Sequence, residues 1–343
     1  MLYAESVPQS VNVTAGGSNV ALIELGPAWS AGNDVDFGGD PDKYAYFSDS
    51  DGPNDLYNYL SGLTTGNHVV VVEGDQHQTT TTELVLAGGK ISLRGSGTFK
   101  RVGTGARSLF NISSGGELIV RGPTLQGDGT TINKALVTVD GGILTLYEGR
   151  ITGAAGWGNA TGGVVVENGG IFTMEGGTIS NNTNQSLGGG VAVTDVGSKF
   201  FMKGGTINGN KATDSGSGGA GVYVNFNGEF TMEGGTISGN TATLGRGGGV
   251  LVTGSGTFTM SGGTINGNNQ ATDGGGVYVP SSGTFTKYNI SGNSGSIENN
   301  TASGEGQQVY KAAGTLHQRN TGVGPGLNMS TATTDDTNPP WEL

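Results

Sequence analysis

The sequence repeats one short phrase about every 28 residues, and this period constrains the fold more than any other feature. The phrase FTMEGGTISGN runs from Phe230 to Asn240. Close copies of it stand at 172–182, 201–210 and 258–268. A second marker, an apolar stretch after glycines such as GVYV at Val222, recurs with the same period. Two markers with one period indicate equivalent coils joined by loops of variable length.

Each period contains three short stretches that are typical of β-strands. In GTFTM, Phe258 and Met260 share one face, because the side chains of a strand alternate. GVYV places Val222 and Val224 on a common face, and TI adds an inward isoleucine such as Ile237. Glycine at this density disfavours a helix, so each coil is expected to consist of three strands.

A single coil cannot bury its apolar face, but stacked coils can. Stacking at about 4.8 Å makes the strands of successive coils parallel and aligns equivalent side chains in columns. The sequence therefore predicts an all-β fold, a right-handed parallel β-helix or solenoid of about 8–9 coils. The expected inward columns are Ile91, Leu118, Leu144, Phe172, Phe200, Phe230, Phe258 and Phe285, and Met174, Met202, Met232 and Met260.

An asparagine follows each inward isoleucine by three residues. Stacked coils would align these asparagines at one bend, where each amide can bond to the coils above and below. We expect a structural ladder of Asn182, Asn210, Asn240, Asn268 and Asn300.

The two ends of the chain differ from the repeats. We expect an N-terminal capping segment at 1–80, the β-helix at 81–310, and a C-terminal cap or disordered tail at 311–343. The first segment contains a short helix near 53–63, with Pro53 in its first turn and Asp51 as its N-cap. Lys287 replaces an inward methionine, which indicates that this column ends there or that the register changes.

Composition narrows the class of protein. The 343 residues include 69 glycines and no cysteine, which excludes a disulfide framework and a thiolate metal site. The net charge is −12, and the sequence contains no basic stretch of the kind that binds nucleic acid. No apolar run is long enough to cross a bilayer, and no signal-peptide pattern is visible. A composition rich in Ser, Thr, Asn and Gly is typical of an extracellular or cell-surface protein of a prokaryote.

The charged residues show no catalytic pattern. Glu175 and Glu233 occupy equivalent positions two coils apart, with Lys203 between them, which indicates a surface charge ladder. No two histidines have metal-ligand spacing. We therefore expect no enzyme and no cofactor, with a structural calcium as the one exception.

That calcium would bind the stretch DSDGPND, through Asp49, Asp51 and Asp55. The stretch is a partial calcium loop that lacks the full spacing and the distal glutamate. The alternative is an acidic loop that caps the helix after it.

The loops after the asparagine bend vary most, and binding by solenoids tends to lie in such loops. Trp157 is the first candidate for a ligand contact there. Tyr223 and Tyr278 are expected to point outward, where they can stack on sugar rings or on a partner. Arg246 is the only arginine between residues 151 and 310, and it completes the set of candidate ligand-binding residues.

The stretches GGTISGNTAT and GGGVLV resemble the Gly-rich repeats of bacterial surface proteins and autotransporter passengers, within the right-handed β-helix or pectin-lyase-like superfamily. The pattern is similar to that of the polymorphic outer-membrane proteins, with GGGV or GGTI for GGAI and IxxN, as at Ile237 to Asn240, for FxxN. The clear repeats cover 162–310.

Three functions are consistent with these patterns. The first is a non-enzymatic adhesin, stalk or self-assembling subunit that binds a glycan, a protein surface or copies of itself as an oligomer or filament. The second follows from the resemblance, since that superfamily contains polysaccharide lyases and hydrolases, some of them like phage tailspikes, that act on acidic glycans. The third is an assembly subunit whose residues 1–30 pair with a neighbour's sheet.

Overall fold

The computed structural model describes residues 12–15, 21–24, 43–157, 162–213, 218–270, 272–280, 282–289, 295–304, 306–311 and 315–320. Within these ranges the chain is an all-β parallel solenoid of about nine coils, as predicted. Three sheets run along the rod, and each coil contributes to all three where its strands are complete. The described residues contain one short helix, Asp55–Ser61.

Sheet A holds two stretches of each coil. The two stretches form one continuous strand in two coils, at Gly116–Gly127 and Ile143–Thr152, and two separate strands in the coils before and after these. Its twenty described strands are Asn12–Ala15, Ala21–Glu24, Lys43–Phe47, Asn67–Val72, Asp75–Gln78, Gly89–Arg94, Thr98–Arg101, Gly116–Gly127, Ile143–Thr152, Ile171–Met174, Thr178–Ser180, Lys199–Met202, Thr206–Asn208, Glu229–Met232, Thr236–Ser238, Thr257–Met260, Thr264–Asn266, Thr284–Asn289, Ser296–Glu298 and Thr315–Asn320.

Sheets B and C complete the coil. The nine described strands of sheet B are Val85–Leu86, Phe110–Ser113, Val137–Asp140, Val164–Glu167, Val191–Val193, Val222–Val224, Val250–Val252, Val277–Val279 and Val309–Lys311. The seven described strands of sheet C are Thr131–Ile132, Ala155–Gly156, Thr183–Asn184, Lys211–Ala212, Thr241–Ala242, Asn269–Gln270 and Thr301–Ala302. All strand pairs within these two sheets are parallel.

The predicted phenylalanine column fills the core of the rod. Successive rings lie 4.6 to 4.8 Å apart and almost parallel, from Phe172 to Phe285. Strand register extends the column through Leu144 and Leu118 to Ile91, as expected. The ring spacing equals the spacing of paired strands, so one geometry satisfies both the backbone and the side chains.

The asparagine ladder is also confirmed. Asn210 donates from its backbone N–H and from Nδ2 to Oδ1 of Asn240, both at 3.0 Å. Nδ2 of Asn240 donates in turn to the Ile207 carbonyl and to Oδ1 of Asn268, each at 2.9 Å. The same bonds repeat along the ladder, whose members are all buried: Asn182, Asn210, Asn240, Asn268 and Asn300.

Gln308 ends the ladder at its C-terminal side. Its Oε1 accepts from Nδ2 of Asn300 at 2.9 Å, where the amide of a further asparagine would otherwise lie. In the preceding coil this position is Gly276, whose added Cβ would lie 2.9 Å from Nδ2 of Asn300 and from Cγ2 of Ile297. A side chain at Gly276 would also collide with the Gln308 carbonyl, 2.3 Å away, so this position is restricted to glycine where an asparagine and an isoleucine lie in the following coil.

The glycine pairs of the repeat are required by contacts with the preceding coil. A Cβ at Gly234 would collide with the Lys203 carbonyl. A Cβ at Gly235, whose φ is +79°, would lie 2.7 Å from Cε of Met202 and 2.8 Å from the Gly204 carbonyl oxygen. The methionine column thus passes beneath the second glycine of each pair, which explains why the two features repeat together.

Parallel stacking begins earlier than residue 81. Lys43–Phe47 pairs in parallel with Asn67–Val72, which pairs with Gly89–Arg94. Asn12–Ala15 pairs antiparallel with Ala21–Glu24, which pairs antiparallel with Lys43–Phe47 in the same chain. These segments extend sheet A within one chain, and exchange of residues 1–30 with a neighbour stays a hypothesis.

The helix Asp55–Ser61 buries Leu56, Tyr57 and Leu60 against the end of the core. Its N-cap is Asn54, at φ 70°, and the prediction of Asp51 as N-cap was wrong. The helix starts two residues later than Pro53, because Asn54 takes the left-handed conformation just before it.

At the other end, Lys287 keeps the register of the methionine column. It pairs with Met260 on one side and with Gln318 on the other, so the register does not change there. Lys287 is buried, and burial lowers the pKa of its amine. The strand Thr315–Asn320 continues sheet A into the segment that was expected to be a loose cap; residues after 320 lie outside the described residues.

The early coils lack the ladder asparagines, and two buried arginines donate to backbone carbonyls near the bend there. Arg101 donates to the carbonyls of Arg107 and Ala135, at 2.9 and 3.1 Å. Arg107 donates to the carbonyls of Val102 and Gln78, at 2.7 and 3.1 Å. Burial lowers the pKa of Arg101 to about 10, which leaves the guanidinium charged at neutral pH.

Substitution of Asn240 by alanine should destabilise the rod. The change removes four buried hydrogen bonds: two that Oδ1 accepts from the backbone N–H and Nδ2 of Asn210, and two that Nδ2 donates to the Ile207 carbonyl and to Oδ1 of Asn268. We expect the free energy of unfolding to fall by about 3 kcal/mol, measured by urea denaturation. Asn266→Ala, at a half-buried position outside the ladder, should change it by about 0.5 kcal/mol or less. Equal losses would contradict the ladder's role.

Gly235 and Gly129 form a matched pair for the packing of the methionine column. Both have φ +79°, but a Cβ at Gly129 meets nothing within 4 Å. Backbone strain is therefore the same for alanine at either position, and the collision is confined to Gly235. We expect Gly235→Ala to lower the thermal midpoint further than Gly129→Ala does. The free energies of unfolding of the two variants should differ by about 1–3 kcal/mol. Equal shifts would show that the contact with Met202 is not restrictive.

Candidate functional site

A second apolar column lies outside sheet B, on the face turned away from the main core. It consists of Ala192, Tyr223, Leu251 and Tyr278, all less than a tenth exposed, with Tyr310 packed against them. The Tyr278 and Tyr310 rings stack at 5.2 Å. The two tyrosines point away from the core, as expected, but both are less than a tenth exposed, and stacking of a ligand on their rings stays a prediction.

Glycine-rich loops cover this column. The loop from sheet C folds back over the strand that follows it, because Gly219 and Gly274 take positive φ values of +60° and +69°. A Cβ at Gly219 would lie 3.0 Å from Cβ of Tyr223, and one at Gly274 would lie 2.7 Å from Cβ of Tyr278. Leu187, Gly218 and Arg246 are bridged in parallel, so the covering loops stack on one another as well. We name the described residues of this layer the loop edge: Trp157, Leu187, Gly218, Gly219, Leu244, Arg246 and Gly274.

Arg246 lies on the loop edge with its side chain half exposed. Its guanidinium lies 5.4 Å from the centre of the Tyr278 ring, and its Nε is 3.6 Å from Oδ2 of Asp273. Burial raises the pKa of Tyr223 to about 12, although a hydrogen bond to Asn225 opposes the shift. Three of the predicted ligand-binding residues, Arg246, Tyr223 and Tyr278, therefore meet in one region, but only Arg246 offers an accessible polar group.

Trp157 begins the loop edge in an earlier coil. Its backbone N–H donates to the Ile132 carbonyl at 3.2 Å, while its side chain is 50% exposed. Leu244 is 54% exposed on the same edge, three coils further along. The loop edge thus combines an anchored backbone with protruding apolar groups, a combination that suits the binding of a surface ligand.

The acidic loop before the helix holds backbone amides. Asp49 accepts from the Asp75 N–H at 2.7 Å, Asp51 from the Ser48 N–H at 2.6 Å, and Asp55 from the Gly52 N–H at 2.7 Å. These bonds hold the loop together and do not cap the helix, whose N-cap Asn54 makes no side-chain cap hydrogen bond, so the capping alternative given for Asp49, Asp51 and Asp55 is not confirmed. Calcium binding at these residues stays a prediction.

A row of carboxylates lies at the end of sheet B. Asp140 and Glu167 are register partners on adjacent coils, and Asp195 follows in the next coil. Oδ1 of Asp140 accepts from Nδ2 of Asn168 at 2.7 Å. Burial, and next the charge of Asp140, raise the pKa of Glu167 above its ordinary 4.5. A carboxylate pair with one raised pKa is a general feature of acid–base sites.

The charge ladder on sheet A has the arrangement predicted for it. Nζ of Lys203 lies 2.8 Å from Oε1 of Glu175, in the adjacent coil. A hydrogen bond to Glu175, with the charges of Glu175 and Glu233, raises the pKa of Lys203. This group is exposed, and its stabilising effect is small.

Sequence reasoning missed the pair Asp140 and Glu167. The strand VTVD, at Val137–Asp140, is equivalent to VVVE, at Val164–Glu167, but no glycines precede it. The apolar–x–apolar–acid pattern, read without the glycine marker, would have aligned the two strands.

Comparisons with known proteins leave these sites without a relative to explain them. No protein-family model matches the chain, and no curated protein or solved structure is significantly similar to it. Among the described residues, no group of three or more His, Asp or Glu side chains could hold a metal ion. The one helix in this part of the chain is too short to span a membrane. The class that the geometry defines is a parallel β-solenoid.

The stability of the folded chain should fall as the pH rises, because the buried Glu167 loses its proton. Because its pKa is raised in the folded state, its contribution is fully present below pH 4.5 and is lost as the pH rises through the folded-state value. Glu167→Gln should therefore raise the thermal midpoint near neutral pH and lose this advantage at lower pH. Asp75→Asn, at an exposed carboxylate, serves as control. A gain that did not depend on pH would contradict the assignment.

Proposed function

We propose that this chain is a non-enzymatic structural rod that works outside the cell or at the cell surface as an adhesin, a stalk or a self-assembling subunit. The observation that carries the proposal is the continuity of the interior. Stacked phenylalanines and hydrogen-bonded asparagines run without interruption through successive coils. Such a rod is stabilised by contacts between neighbouring coils, and its loops are free to vary.

The loop edge is the part of the rod best suited to a ligand. Covered tyrosines and stacked glycine loops hold its backbone in place, while Trp157 and Arg246 protrude from it. An aromatic ring and a guanidinium can both contact a sugar or a protein surface. We propose a glycan or a protein surface as the ligand.

The composition supports a setting outside the cell. The chain has no cysteine and a net charge of −12, and its surface is rich in small polar side chains. Membership of the pectin-lyase-like superfamily or of the autotransporter passengers is part of the proposal, and the parallel coils and the repeat phrase support it.

A polysaccharide lyase or hydrolase that acts on acidic glycans is the second candidate. Asp140 and Glu167 favour it, since they are adjacent carboxylates and one of them has a raised pKa. In a hydrolase, a protonated carboxyl serves as the general acid and an ionised one as the base or nucleophile. The spacing of the two carboxyl groups decides between inversion and retention.

A combined screen tests the two candidates. The protein would be applied to glycan and matrix-protein arrays, and also incubated with acidic polysaccharides while reducing ends and unsaturated products are measured with and without calcium. We expect binding without turnover, and at least tenfold weaker binding by Trp157→Ala than by Ile143→Ala, a change at an exposed apolar position of sheet A. Turnover that is lost in both Asp140→Asn and Glu167→Gln would replace the structural proposal by the enzymatic one.

A further inference from the structure

Phe226 is the most unusual exposed residue of the rod. It lies in the turn from sheet B to sheet A, where the Gly228 N–H donates to the Asn225 carbonyl at 2.8 Å. The two central residues, Phe226 and Asn227, have φ values of 45° and 65°. Turns with two positive φ values favour Asn, Asp and Gly, and a bulky side chain there is strained.

Two other turns from sheet B to sheet A have two central residues at positive φ, and at the first of these, the position of Phe226, they have an asparagine and a glycine. The turn before Ile171 places Asn168 and Gly169 at positive φ, and the turn before Thr257 places Gly254 and Ser255 there. Phe226 is 61% exposed, so its ring gains little packing in return for the strain. A strained and exposed aromatic residue on a regular rod suggests a contact that the single chain does not make.

Val196 lies beside Phe226 on the preceding coil. Each residue precedes by three the first residue of its sheet A strand, and these first residues, Lys199 and Glu229, are register partners. Val196 is 76% exposed. Nζ of Lys199 lies 2.7 Å from Oε2 of Glu229, and both side chains are partly exposed. We name these four residues the corner patch.

The corner patch is complementary to itself. Consider a two-fold axis that is perpendicular to the rod and passes between the two coils. It places Phe226 of one copy against Val196 of a second copy, and Lys199 against Glu229. Apolar groups then meet apolar groups and opposite charges meet, as an interface between identical surfaces requires. An ionic ligand would instead have to compete with the Lys199–Glu229 pair.

From this match we infer that the corner patch is the contact between two antiparallel, side-by-side copies of this chain. This inference rests on the proposed function, since it names the partner in self-assembly. It predicts a pairwise contact and not an open filament, because a two-fold contact between identical patches closes on itself. A net charge of −12 on each copy opposes the approach, so added salt should strengthen the dimer.

Charge reversal tests the antiparallel arrangement by sedimentation velocity. Lys199→Glu alone places carboxylates against carboxylates, and Glu229→Lys alone places amines against amines, so each should be a monomer. A mixture of the two variants should form a 1:1 heterodimer, because each mutated position then meets the opposite charge. Failure of the mixture to associate while the unmodified chain dimerises would overturn the arrangement.

Phe226→Asn tests the apolar part without loss of folding. Asparagine tolerates a positive φ, so we expect a higher thermal midpoint together with at least tenfold weaker self-association. Leu244→Asn, an equally exposed apolar position on the loop edge, should leave the association unchanged.

Because the chain has no cysteine, a mixture of Phe226→Cys and Val196→Cys offers a direct probe of proximity. Mild oxidation should join one copy of each variant, and a mixture of Leu244→Cys with Val196→Cys should remain uncrosslinked. A native chain that stays monomeric at high concentration and high salt would overturn the inference. That result would leave ligand binding by the loop edge to be decided by the array screen.

Discussion

Vertical alignment at the spacing of paired parallel strands is the constraint on which the rod depends. Backbone hydrogen bonds, phenylalanine rings and asparagine amides all require equivalent atoms to repeat at about 4.8 Å along the axis. The rings repeat at that interval in the structure, and each asparagine amide bonds to the amide of the next coil. Because one translation serves all three, copies of the same phrase can occupy equivalent positions in successive coils.

The interior was predictable from the sequence because its rules are local. Alternation within a strand identified Phe230 and Met232 as inward, and a constant offset from Ile237 identified Asn240 as part of a ladder. At Lys287 the strand register, and not the residue type, determines which way the side chain points. The lysine stays in the methionine column although burial lowers its pKa. Backbone pairing on both sides holds such a residue in line.

The loop edge and the corner patch were not predictable in the same way. The burial of Tyr223 depends on a loop that turns back through Gly219, and an alternating strand pattern contains no information about that path. The Asp140–Glu167 pair depends on the alignment of two coils, one of which lacks the glycine marker. The left-handed conformation of Phe226 depends on the length of its turn, and the sequence NFNG does not specify that length. The candidate sites therefore lie where connections, and not strands, determine the geometry.

Sheet B differs from sheet A in having apolar layers on both faces. Val222 and Val224 face the main core, while Tyr223 between them faces the covered column. Both layers are anchored to the same strand, so movement of a covering loop would disturb the strand beneath it. The ligand that we propose for the loop edge would thus meet a preorganised surface, which lowers the entropic cost of binding.

Gln308 has a consequence for how rods of this kind change length during evolution. Glycine at its position lets another coil follow, whereas glutamine satisfies the last amide and occupies the space that the next isoleucine would need. Glycine at the position of Gly276 therefore permits the ladder to continue, and glutamine at the equivalent Gln308 ends it. A gene could gain or lose whole coils upstream of this glutamine, in steps of about 4.8 Å, and still close its ladder in the same way.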